Sequence, residues 1–246
     1  MRKILLEAPV YTVEAALRAS AFGIDRLELC ADFGEGGTTP SAGLLKLIKS
    51  KINTPVFVMI RLRGGDFVYE QEELVAMRND IQILKSHGAE GFVFGVLDEV
   101  GQVDKAACQY LLEAAEGLPC TFHRAFDITV DKKIALEEIV SLGFKRILTS
   151  GGENTVSLGL ENIKSYMDWA AERIIIMPGG GSRSEHVHEF KNHSAFQEIH
   201  ASCKGFRPSK SRFVYSKVSL SSDPEMFKKV LTVDEFEVLK FKKAIS

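Results

Sequence analysis

The chain has no run of the roughly 18–20 apolar residues that a membrane-spanning helix needs, and its opening "MRKILLEAPV" has an apolar run broken by Glu7 and Pro9. That opening reads better as a first strand than as a signal peptide. Excess charge is also missing. Lys and Arg number 31 and Asp and Glu 33, a formal net charge of −2, which offers no general hold on nucleic acid or on a membrane surface. The four cysteines, Cys30, Cys108, Cys120 and Cys203, form no CxxC pair. In 246 residues they read as free thiols in a reducing compartment, and a cytoplasmic location is the expectation. No low-complexity linker divides the chain, so residues 1–246 are read as a single domain.

What is present is ordinary in amount, with 45% hydrophobic and 26% charged residues, and regular in arrangement. Eight β-like runs recur: 3–8, 26–31, 55–61, 91–97, 120–126, 146–150, 173–177 and 197–202. Helical patterns lie between them. Leu74, Met77, Ile81 and Leu84 repeat at helical spacing within 71–88. The segments 104–117 and 131–143 begin on Asp and end on Gly, an N-cap and a C-terminal stop. "FGIDRLELC", "HGAEGFVFG" and "LGFKRILTSG" share one plan: a helix-ending glycine, a short connection, a strand. The pattern predicts a (β/α)8 TIM barrel. Residues 202–217 are expected to form a long loop after strand eight, and 223–245 one or two extra C-terminal helices.

Side chains of a strand alternate between faces. In a barrel one face meets the helices and the other the lumen. Leu27 and Leu29 belong outside, which sends Glu28 and Cys30 inward. Val56, Val58 and Ile60 outside send Arg61 inward, and Phe122 outside sends His123 inward. The same parity selects Glu7 and His200, and leaves strands four, six and seven ambiguous. Glu7, Glu28, Arg61, His123 and His200 are therefore the candidate catalytic group, at the strand ends where this fold builds its sites. A nearby His123 or Arg61 is expected to lower the Cys30 pKa, and Glu28 to oppose that. Arg61 and Arg63 suit an anion clamp. Gly179, Gly180 and Gly181 follow strand seven, where many barrels bind phosphate. His186 and His188, two apart on a helix, read as surface residues.

"RLELC", "EGGTTPS", "VMIRLRGGDF", "TFHRAFD", "RILTSGG" and "MPGGGSR" together resemble the CutC family, known as cytoplasmic copper homeostasis proteins, in family order over nearly the whole chain. The resemblance implies the same barrel, homo-oligomers that are often dimers, and a copper(I) link through cysteines. The chain has Ala8, Pro9 and Val10 where the family often has a cysteine after the first-strand glutamate, and Ala201 where some members have one after the last-strand histidine. Leu62 replaces a family proline. Cys30 is the thiol that matches, and so the expected copper(I) ligand. The residues themselves support an alternative: an enzyme acting on a small anionic or phosphorylated substrate, with His123 as general acid or base and Glu28 or Glu7 as its partner. A variant has Glu7, Glu28 and histidines holding a divalent metal.

Overall fold

The computed structural model describes residues 3–213, 217–218 and 224–246. Eight strands alternate with helices from the start: β1 (Leu5–Val10), α1 (Val13–Ala21), β2 (Arg26–Leu29), α2 (Ala42–Lys49), β3 (Val56–Met59), α3 (Gln71–Ser86), β4 (Gly91–Phe94), α4 (Lys105–Ala115), β5 (Cys120–Phe122), α5 (Lys132–Leu142), β6 (Arg146–Thr149), α6 (Leu160–Ala170), β7 (Ile175–Pro178), α7 (Ser184–Phe190) and β8 (Glu198–His200). The strands are all parallel and run β7-β6-β5-β4-β3-β2-β1-β8 in hydrogen-bonded order. The sheet is nearly closed: a side chain on Gly179, just past β7, would press on Leu148 and on the Cβ of His200 in β8. A glycine is what lets these two strand ends approach.

The local signals act as expected. Thr12, Ser41, Asp104 and Asp131 each accept a backbone N–H in the first turn of α1, α2, α4 and α5. Gly143 ends α5 in the left-handed conformation that glycine tolerates. Leu74, Met77, Ile81 and Leu84 form the buried stripe of α3. The main core lies between strands and helices. A second, smaller cluster of Cys30, Phe57, Met59 and Val93 fills the lumen.

The chain beyond β8 departs from the expectation. Residues 204–208, read as loop, form β9 (Lys204–Pro208), which pairs antiparallel with β10 (Lys229–Val233). A short 3-10 turn (Pro224–Lys228) precedes β10, and one helix, α8 (Glu235–Ile245), follows it. Residues 214–216 of the expected loop and Asp223 of the expected helical tail lie outside the described residues. In β10 the run Val230, Leu231, Thr232, Val233 is rich in β-branched residues and suits a strand better than a helix. Its partner carries Arg207, whose guanidinium bonds Glu14 of α1 at 2.6 Å and ties the hairpin to the barrel wall.

Candidate functional site

The strand register builds the site. Glu7 stands opposite Arg26 on one side and His200 on the other. Because β1 turns Leu6, Ala8 and Val10 to the outer core, Glu7 enters the lumen. One of its oxygens accepts from Arg26 Nε, and the other faces His200 Nδ1 at 3.0 Å. Arg26 also donates through Nη2 to Glu198, whose carboxylate accepts from Arg146 Nε at 3.0 Å. Arg146 reaches Thr121 at 3.2 Å. A buried chain of charges, Glu7–Arg26–Glu198–Arg146, thus crosses the lumen, with both guanidiniums over the Phe57 ring. Burial alone would raise the Glu7 pKa, but Arg26 and His200 outweigh it and hold the group down at about 2.

Above this layer lies a cavity of about 150 Å³. Glu28, Arg61, His123 and His200 all line it, together with Met59, Phe67, Arg124 and Gly180. Six buried side-chain polar atoms among the described residues have no hydrogen-bond partner. Three belong to this lining: Glu28 Oε1, Arg61 Nε and His123 Nε2. An unpaired buried polar atom costs free energy, so three around one cavity call for a ligand.

Each of the three has a defined state. Burial pushes the Glu28 carboxyl up to about 7; His200 opposes the shift and Glu7 adds to it. Burial would lower His200, but the Glu28 and Glu7 carboxylates outweigh it and raise its pKa. Burial, helped by Arg61, drives His123 down to about 3. The Ala125 N–H donates to His123 Nδ1 at 3.3 Å. The neutral ring therefore carries its proton on Nε2, the partnerless atom. His123 presents an N–H donor. Arg61 gives Nη1 to the carbonyls of Glu35 (2.5 Å) and Gly37 (3.2 Å) and Nη2 to that of Gly65 (3.0 Å). Among the described residues its charge meets only neutral acceptors, and Nε remains for a ligand. The forked grip expected of an anion clamp is already spent on the loops.

Other expected residues fall elsewhere. Arg63 is not in the lining; it bonds Glu73 at 2.7 Å and Asp66 at 3.0 Å. Of the glycine run only Gly180 lines the cavity, while Gly179 serves barrel closure and Gly181 packs on Thr155. Cys30 faces the lumen, but the expected lowering of its pKa is reversed. Burial, then Glu28 and Glu7, raise the thiol well above its ordinary value, and neutral His123 supplies no charge to counter them. His186, expected on the surface, is buried: Nδ1 accepts from the Arg183 N–H at 3.0 Å, and Nε2 meets Ser157 Oγ at the same distance. Asp127 is a structural anchor. It accepts from the Ser150 and Gly152 amides and the Thr149 and Ser150 hydroxyls, and pairs with Arg124 at 2.8 Å.

Comparison with known proteins adds four findings. The model of the CutC family matches residues 4–205. The copper homeostasis protein cutC homolog of Homo sapiens is 44% identical over 218 residues, 89% of this chain and 80% of that protein. A CutC family protein of Histophilus somni is 39% identical over 97% of this chain and 98% of its own length. The crystal structure of the putative copper homeostasis protein CutC from Streptococcus agalactiae superposes with a TM-score of 0.75 at 35% identity, covering 81% of this chain and 98% of that one. No helix among the described residues is long and apolar enough to cross a membrane.

Proposed function

Since this chain belongs to the CutC family, we propose that its part in copper homeostasis runs through the cavity at the C-terminal mouth of the barrel, where it binds and acts on a small anionic molecule. The observation that carries this reading is the set of three partnerless buried atoms, Glu28 Oε1, Arg61 Nε and His123 Nε2, on residues that line one cavity. Arg61 supplies a positive charge that no carboxylate neutralises. His123 Nε2–H donates to a ligand oxygen, including one on which negative charge develops. Glu28, with a pKa near 7 and His200 beside it, is suited to move a proton at neutral pH. The general acid–base part thus falls to the Glu28–His200 pair, and His123 acts as a hydrogen-bond donor. The test is calorimetry with sulfate, phosphate and small dicarboxylates. Arg61→Met should weaken the anion that binds by roughly ten- to a hundredfold, the scale of one charge-assisted hydrogen bond. Equal affinity in variant and parent would remove Arg61 from the reading.

A second reading has one observation in its favour. Cys30 Sγ and Met59 Cε both flank Gly37, at 3.3 and 3.6 Å from where a Cβ would stand there, and Met59 lines the cavity. A thiolate and a thioether are the donors that copper(I) prefers. Bound copper would displace the thiol proton that burial otherwise retains. The reduced protein should then compete with a chromogenic copper(I) chelator, and Cys30→Ser should abolish the competition. Undiminished uptake by that variant would leave this pair without a role.

A further inference from the structure

We propose that Glu28 and His200 form the protein half of a divalent-cation site on the floor of the cavity, with Glu7 fixing the imidazole from behind. Ligand atoms of Glu7, Glu28 and His200 lie within 4.8 Å of one another, and all three residues are buried. Their roles differ. The Glu7 carboxylate already accepts from Arg26, and its other oxygen holds His200 Nδ1. A carboxylate on one ring nitrogen is the common arrangement behind a metal-bound histidine, because it fixes the tautomer and turns the other nitrogen's lone pair outward. Here that other nitrogen, Nε2, faces Glu28 Oε2 at 3.7 Å. The gap is too wide for a hydrogen bond. It matches two ligands of one ion: atoms each about 2.1 Å from a metal stand about 3.4–3.6 Å apart at tetrahedral to trigonal angles.

A further observation points to an occupant. Glu28 is 3% exposed, and its Oε1 has no partner although the residue lines the cavity. A buried polar atom left unpaired costs free energy that a bound ion would recover.

The donor set defines the ion's class. One imidazole and one carboxylate suit Mn²⁺, Fe²⁺ or Zn²⁺ rather than a soft monovalent ion. With two protein ligands, the remaining positions open to the cavity, for water or for an oxygen of a bound anion. The site shares Glu28 and His200 with the proposed function, and with the ion bound the pair serves as ligands and not as acid and base; the two are told apart because the ion is measured with no anion present.

The probe is Mn²⁺, added to the chelator-treated full chain and followed by electron paramagnetic resonance. The expected result is one Mn²⁺ per chain. Glu28→Gln and His200→Gln should each weaken it at least tenfold, and His188→Asn, at an exposed histidine, should leave it unchanged. Because a variant can fail by misfolding, the parent protein carries its own check. Electron spin-echo modulation from one directly bound imidazole nitrogen should appear in the Mn²⁺ complex. Absence of that nitrogen, absence of stoichiometric Mn²⁺, unchanged affinity in Glu28→Gln, or loss of Mn²⁺ in His188→Asn would each overturn the proposal.

Discussion

Arg26→Met should cost the fold about 3–5 kcal/mol, the scale for removing one partner from a buried ion network. Arg26 sits between two carboxylates, Glu7 and Glu198, with side-chain exposures of 5%, 0% and 8%. Glu198 would keep Arg146 at 3.0 Å. Glu7 would keep only His200 at 3.0 Å, so the uncompensated charge falls on the most buried carboxylate of the lumen. Methionine roughly preserves the length of the arginine stem over the Phe57 ring, so lost volume contributes little. Urea denaturation gives the number, from midpoints at a common slope. The control is Arg207→Met. That arginine pairs with Glu14 at 2.6 Å, but both side chains are 34% exposed, and such a pair contributes about 0–1 kcal/mol. If the two variants lose the same amount, the lumen network does not hold the barrel together.

The same network marks the boundary of what the sequence discloses. Alternation along "RLEL" and "EIH" selects Glu28 and His200, and by the same rule it selects Arg26 and Glu198 two residues earlier. Parity alone does not single those two out as functional: the rim tolerates an isolated polar group, whereas in the deeper layer charges must pair with one another, and the partner lies on another strand. Arg146 was hidden by the ambiguous parity of "RILTS". Arg63 shows the converse. Its parity with Arg61 holds only while the extended backbone continues: one ladder bond past β3, from the Ile60 N–H to the Val93 carbonyl, carries the strand on toward Arg61, whereas Arg63 lies in the bend beyond. Cys30 was placed on the correct face, but the sign of its shift depends on burial and on which neighbours carry charge, and neither can be read from spacing. The hairpin of β9 and β10 is hard to read because its two halves are separated in the chain and β9, "KGFRP", is short, charged and holds a glycine and a proline, although β10 alone has a strand-like run. Glu7, Glu28, His123 and His200 are legible because each is a charged or titratable group within or at the end of an otherwise apolar run. An apolar run tolerates such a group only where it has partners.

His123 should make the protein sensitive to mild acid, with a sign that follows from its surroundings. The ring is buried between Phe67, 4.7 Å away centroid to centroid, and the edge of Phe122. Nδ1 is occupied by the Ala125 N–H, so a second proton would break that bond and place a cation near Arg61. The folded-state pKa is therefore about 3, against 6.5 for an unperturbed histidine. Between those values the unfolded chain binds a proton that the folded chain does not, so stability rises with pH there. The contribution of this group is complete above about pH 6.5 and is lost as the pH falls toward 3. At pH 5 the slope it adds is close to about 1.4 kcal/mol per pH unit, and its full span is on the order of 4–5 kcal/mol. His123→Asn keeps an acceptor for Ala125 but does not titrate. Its urea midpoint, measured from pH 7 to pH 4.5, should fall more shallowly than the parent's, so that the two curves converge in acid. His188 is exposed, and His188→Asn should leave the parent's slope intact. Parallel curves for His123→Asn and the parent would mean that the ring accepts a proton in the folded protein. Nε2 would then no longer be the fixed neutral donor that the proposed anion site requires.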